Sequence, residues 1–204
     1  ARSIRFSCSA IAVGIISALA LSPSLVARRR QPGVNEIVRV RAWRTQHEPQ
    51  IRRELFDLVA IPNVASDRAN IVKNAEALTR MFEKRRFLPE TVATPGSPIV
   101  LAERRVPDTP RTLTFYFHYD GQPVEARDWT HGPPVSPIIA TDLTPAARTM
   151  TLDQLSGPID PQWRVFGRSS SDDKSPIVAF LAAIDALDAA NIPLTSSIRV
   201  LMEG

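Results

Sequence analysis

The sequence predicts an α/β fold, a mostly parallel sheet with helices on both faces. Three observations predict it. Thr112 to Tyr119 is a short run of Thr, Leu, Phe and Tyr, as in a buried strand. Ile177 to Ala190 is almost wholly apolar, as in a buried helix, and Ser197 to Met202 is again strand-like. Strand, helix and strand in succession favour parallel pairing with the helix laid on the sheet. The chain has 204 residues, 44% hydrophobic and 23% charged, which is enough apolar material for a real core and excludes a disordered polymer.

Taken in order, Arg2 and Arg5 precede an uncharged stretch from Phe6 to Ala27 that ends among small residues. Residues 1–27 therefore read as a secretory signal peptide, and the expected location is secreted or periplasmic. Arg28, Arg29 and Arg30 follow directly, which disfavours export and keeps an uncleaved membrane anchor, and so a membrane tether, as the alternative. Residues 28–47 are polar without a firm period and read as a linker or surface tail, leaving 48–204 as the folded domain. Glu48 to Ile61 places Ile51, Leu55, Leu58 and Val59 on one helical face and stops before Pro62. Asn70 to Phe87 is a second helix, with Ile71, Ala75, Leu78 and Phe82 recurring on one side and basic residues in its last turn.

Pro98 to Ala102 and Thr112 to Tyr119 are read as buried strands, separated by turn signals in Glu103 to Arg111. Gly121 to Val165 has little periodicity and many of the eighteen prolines, so it reads as a long loop with one short irregular piece around Thr144 to Leu155. Ser175 reads as a helix N-cap with Pro176 at the first helical position, and Asn191 and Pro193 mark the end of that helix.

Charge and cysteine content narrow the function. The net charge of +4 is spread along the chain apart from Arg28 to Arg30, and no stripe of aromatic and basic residues accompanies it, so nucleic acid is not an expected partner. Cys8 is the single cysteine, which rules out an intrachain disulfide and disfavours thiolate metal ligation.

Two groups of residues carry chemistry. His118 and Asp120 stand at a strand end, the edge of a parallel sheet where loops converge. An imidazole is a good metal ligand, and a carboxylate two residues on suits the other ring nitrogen. Asp172 and Asp173 occupy the loop that enters the buried helix, where backbone N–H groups favour negative charge. One acid would suffice for capping, whereas a pair also suits metal ions bridged by a carboxylate. Lys174 reads as a charge balance or a solvated residue, and His47 and His131 as exposed loop residues.

The blocks FHYDGQPV, DWTHGPPVSPI, FGRSSSDDKSPIVAFLAAIDAL and IRVLMEG, in that order, resemble the two-zinc metallopeptidase family that includes glutamate carboxypeptidase, aminoacylase, carnosinase and succinyl-diaminopimelate desuccinylase. The resemblance runs from about Glu48 to Gly204. It implies a zinc-exopeptidase-like catalytic domain with two zinc ions, cobalt or manganese being able to replace them. It also implies that His118 ligates one ion, that Asp120 supports this ligand during catalysis, that Asp172 bridges both ions, and that the Asp172–Asp173 peptide is cis. Two departures stand out: Ser175 replaces the family's usual glycine, and the segment between Trp129 and Gly167 is longer than in typical members.

The family's two adjacent glutamates, a general base and a ligand, follow the strand that here ends in Glu203-Gly204, and Glu203 itself precedes that pair. A later acidic ligand, a distant histidine ligand and the inserted lid or dimerisation domain are likewise expected beyond Gly204. The resemblance thus implies a truncated catalytic domain, inactive by itself, from a hydrolase acting on dipeptides or, second, on N-acyl amino acids, with homodimerisation through the inserted domain. The alternative from another class is a non-catalytic secreted or membrane-tethered binding protein that retains the fold.

Overall fold

The computed structural model of the chain describes residues 33–204 except 156 and 158. The expected leader at residues 1–27 and the three arginines after it lie outside the described residues. Among the described residues no helix is long and apolar enough to cross a membrane.

Helix α1 (Val34–Val59) begins well before Glu48, so most of the segment read as a linker is helical. The apolar period was missing there because that half of the helix has little to bury: Val34, Ile37 and Val38 are exposed, and the buried residues of α1 are Phe56, Leu58 and Val59 at its far end. The Glu36 carboxylate accepts a 2.9 Å hydrogen bond from the Gly33 backbone N–H and so caps the first turn. Pro49 sits inside the helix, and having no N–H it leaves the Thr45 carbonyl without its helical donor.

Helix α2 (Arg68–Glu83) starts where the Asp67 side chain accepts from the Asn70 backbone N–H. Its buried stripe contains Ile71, Ala75, Leu78 and Phe82, at the spacing the sequence displays. Arg86, at φ 63°, then turns the chain back so that Phe87 packs edge-on against Phe82.

Strand β1 (Leu88–Val92) was not legible in the sequence. It is an edge strand with a mostly exposed pattern, and Pro89 is tolerated there because an edge leaves one row of N–H groups unpaired. It pairs antiparallel with β2 (Ile99–Arg104) across a short turn. Strand β3 (Thr112–His118) pairs in parallel with β7 (Ser197–Glu203), and β7 pairs antiparallel with β2, giving the order β1-β2-β7-β3.

The sheet is therefore mixed, with one parallel pair and two antiparallel ones, and the expected mostly parallel sheet is corrected to this. The strand-helix-strand unit is parallel as its connectivity requires, but the hairpin of β1 and β2 adds antiparallel pairs that a single-strand reading misses.

The proline-rich segment is not a bare loop. It holds a second, three-stranded antiparallel sheet of β4 (Ile138–Ala140), β5 (Thr149–Met150) and β6 (Arg164–Phe166), in the order β5-β4-β6. Strands of two or three residues are too short to display alternation. Helix α3 (Ser175–Ala189) carries Pro176 in its first turn as expected, but Ser175 is the first helical residue and no side chain caps it. Asn191, at φ 51°, ends the helix, and the Ile192 N–H closes back on the Leu187 carbonyl at 2.9 Å.

One hydrophobic core joins Leu58 of α1, Leu78 and Phe82 of α2, and Ile177 and Leu181 of α3 to Val100, Ala102, Phe117, Val200 and Met202 of the large sheet. Phe180, half-buried, packs against this core, with ring centroids 4.8 Å from Phe115 and 5.7 Å from Phe117. Alternate residues of the same strands, Arg199 and Glu203 of β7 and Tyr116 of β3, point away from this core and are exposed. Among the described residues the helices thus cover one face of the sheet, where helices on both faces were expected. Arg85, nearly buried, ties the helices together through ion pairs of 2.7 Å to Glu54 of α1 and 2.7 Å to Asp185 of α3.

Candidate metal centre

The parallel register brings the C-terminal ends of β3 and β7 to the same edge of the sheet, with His118 opposite Glu203. The loop leading into α3 arrives beside that edge and delivers Asp172 and Asp173. His118, Asp120 and Asp172 converge there: His118 Nδ1 is 3.1 Å from Asp120 Oδ1, and Nε2 is 2.9 Å from Asp172 Oδ1. The His118 backbone N–H donates to Asp173 Oδ2 at 3.3 Å, which ties the two loops a second time. The Asp172–Asp173 peptide is cis, as the resemblance implied.

Electrostatics follow from this arrangement. Partial burial works against the charged ring of His118, but the Asp172 and Asp120 carboxylates outweigh it and hold its pKa above the usual imidazole value. Burial pushes Asp173 above the ordinary carboxylate range. Asp172 is largely exposed, with 85% of its side chain accessible, although its Oδ1 is turned to His118. Glu203 is engaged elsewhere: its carboxylate accepts from the Tyr116 hydroxyl, whose pKa rises to about 12 through that bond.

A second set of contacts holds the loops in place. The Asn63 side-chain amide donates to the Tyr119 carbonyl at 2.7 Å and to Ser169 Oγ at 3.0 Å, while its backbone carbonyl accepts from the Gly121 N–H at 2.8 Å. Tyr119 is fully buried, donates its own N–H to the Glu203 carbonyl at 2.8 Å, and gives its hydroxyl hydrogen to the Pro98 carbonyl. Gly121 is required by closeness, since a Cβ there would lie 2.2 Å from Ser169 Oγ and 3.1 Å from Asn63 Oδ1.

Lys174 is neither solvated nor paired with an acid, contrary to expectation. It is fully buried, and its ammonium donates to the carbonyls of Leu58 and Ile61 at 2.8 Å each. Burial pulls its pKa down to about 7. His131 also departs from expectation: it is buried edge-on against Phe166, with ring centroids 4.4 Å apart, and is not an exposed loop residue. His47 belongs to α1 and stacks on Trp43 at 4.2 Å.

Sequence reasoning missed Asn63, Ser169 and Gly121, none of which is a reactive type. Only the Asn in the phrase IPNV, following a helix end, could have drawn notice.

An imidazole whose second nitrogen is held by a carboxylate, beside a carboxylate oxygen, is a donor set that suits zinc or a similar divalent ion. Zinc takes roughly four ligands. Among the described residues no group of three or more His, Cys, Asp and Glu is placed to hold an ion, so the donors present fit a metal without completing its coordination.

No protein-family model matches the chain. It is 28% identical over 172 residues to the human Beta-Ala-His dipeptidase, a match that covers 84% of this chain and 29% of that protein. It is 26% identical over 160 residues to the Cys-Gly metallodipeptidase dug1 of Schizosaccharomyces pombe, covering 72% of this chain and 29% of the relative. Among solved structures, the M20 family metallo-carboxypeptidase Sso-CP2 from Sulfolobus solfataricus matches with a TM-score of 0.58 and 27% identity, over 76% of this chain and 30% of that one. The chain thus spans under a third of the length of the curated relatives it matches. The proteins it is similar to by sequence and by fold are metallodipeptidases and an M20 family metallo-carboxypeptidase, a set consistent with the M20 metallopeptidase family.

Proposed function

We propose that this chain contributes part of the metal centre of a hydrolase that cleaves dipeptides, and that the centre holds two zinc ions. The observation that carries the reading is the His118 ring set between Asp120 and Asp172 at a sheet edge. The names of the relatives support it, since they are dipeptidases and a carboxypeptidase. N-acyl amino acids are the second substrate class.

Each residue has a distinct part. His118 Nε2 and the Asp172 carboxylate would supply donors to the ions. Asp120 holds Nδ1 protonated, which fixes the tautomer that leaves Nε2 free to ligate and raises the basicity of the ring. Zinc, when bound, polarises the scissile carbonyl and makes water acidic enough to attack near neutral pH. Two donor residues leave that coordination incomplete, so the remaining ligands and the general base come from other parts of the protein, and residues 1–204 by themselves do not hydrolyse peptides. The apolar stretch before the domain supports a secreted or periplasmic location.

The test is metal content and dipeptide hydrolysis of the full protein beside its His118→Ala and Asp172→Ala variants. Each variant is expected to lose bound metal and at least about 100-fold in kcat/KM, as loss of a metal ligand should cost no less than loss of its supporting partner. Wild-type metal content and activity in both would refute the reading.

A further inference from the structure

Lys174 is the one fully buried charged side chain among the described residues, and it has no acidic partner close enough to bond. Bringing an ammonium out of water is costly unless its hydrogen bonds are replaced. Here two are supplied by carbonyls, that of Leu58 in the last turn of α1 and that of Ile61 just past its end. This is where a helix leaves carbonyls unpaired and where its dipole favours a cation. The ammonium therefore acts as a cap for α1 supplied from a distant part of the sequence.

Lys174 closes the Ser169–Lys174 turn, its backbone N–H donating to the Ser169 carbonyl at 3.1 Å, and Asp172 lies within that turn. The chain leaving α1 then runs through Asn63, which holds Ser169 Oγ, the Tyr119 carbonyl and the Gly121 N–H. The loop bearing Asp172 and the strand end bearing His118 are thus both fixed to one short segment, Leu58 to Asn63.

We propose that Lys174 is a positioning residue for the metal centre: by clamping its turn to the end of α1 it sets where the Asp172 carboxylate stands relative to His118 Nε2. This rests on the assignment of His118 and Asp172 as metal ligands. Lys174 touches neither the metal nor the substrate, and its contribution is the placement of an otherwise exposed carboxylate.

The experiment titrates Co2+ into the metal-stripped full protein and reads the visible absorption of the bound ion, in the wild type, Lys174→Met, Asp172→Asn and Leu78→Ala. Lys174→Met keeps the length of the side chain and removes the ammonium. It is expected to bind Co2+ about 10- to 100-fold more weakly, with altered band positions, as for loss of a group that orients a ligand. Leu78→Ala destabilises the core from α2, which supplies no proposed ligand, and is expected to keep the wild-type affinity and spectrum. Wild-type affinity in Lys174→Met, with binding lost in Asp172→Asn, would overturn the positioning role while leaving the ligand assignment intact. Equal weakening in Leu78→Ala would also overturn it, by showing that any loss of stability suffices. Unchanged binding in Asp172→Asn would overturn the ligand assignment and the inference with it. Should Lys174→Met fail to fold, Asn63→Ala tests the same framework: weaker Co2+ binding supports it and wild-type binding overturns it.

Discussion

At the scale of single residues, the chemistry was easier to read than its supports. His118, Asp120 and Asp172 are residue types with few uses at a sheet edge, and the structure brings both carboxylates within hydrogen-bonding distance of the His118 ring. Asn63, Ser169, Gly121 and Lys174 are common types whose role depends on what faces them across more than fifty residues of chain, information that no local spacing contains. Gly121 makes the point testable. A methyl group there collides with Ser169 Oγ and crowds Asn63, so Gly121→Ala should cost about 1–3 kcal/mol of stability by overpacking, measured by urea unfolding. The same variant should lose metal affinity, because the residues it displaces hold the His118–Asp120 loop.

At the scale of elements, legibility tracked burial. The α2 stripe, α3 and β7 bury a face each, and their periods stand close to where the structure puts them. The first half of α1, strand β1 and the small sheet of β4 to β6 bury little or are very short, and they left no pattern to find. The join between α3 and the sheet offers a pH test. Hydrogen bonds from Arg104, then from Arg86, hold the Asp188 carboxyl below its ordinary pKa. Because the depressed value belongs to the folded state, the associated stability is present above the unfolded carboxylate pKa and disappears as pH falls through the folded one. Urea midpoints of the wild type should therefore fall from about pH 5 downward more steeply than those of Asp188→Asn, and parallel curves would contradict this.

At the scale of the whole molecule, α/β class and the ordering of elements were legible because alternation of strand and helix survives in a linear sequence. Strand direction was not, since an added hairpin changes the sheet from parallel to mixed without altering the hydrophobicity of the strands around it. The placement of the helices on a single face among the described residues was equally hidden. Period-two alternation is visible in β7, where Ile198, Val200 and Met202 are buried and Arg199 and Glu203 are not, but a short strand with one Leu on the outer side resembles one covered on both sides.

The proline within α1 has a consequence for how the molecule meets proteases. Residues before Pro49 are held by few buried contacts and a helical ladder with a missing rung, whereas those after it end in the core at Phe56, Leu58 and Val59. Brief trypsin treatment should trim the chain at Arg39, Arg41 or Arg44 and stop short of Arg52, leaving a resistant domain. Cleavage at Arg52 as rapid as at Arg41, read by mass spectrometry, would mean that the whole helix frays as one piece.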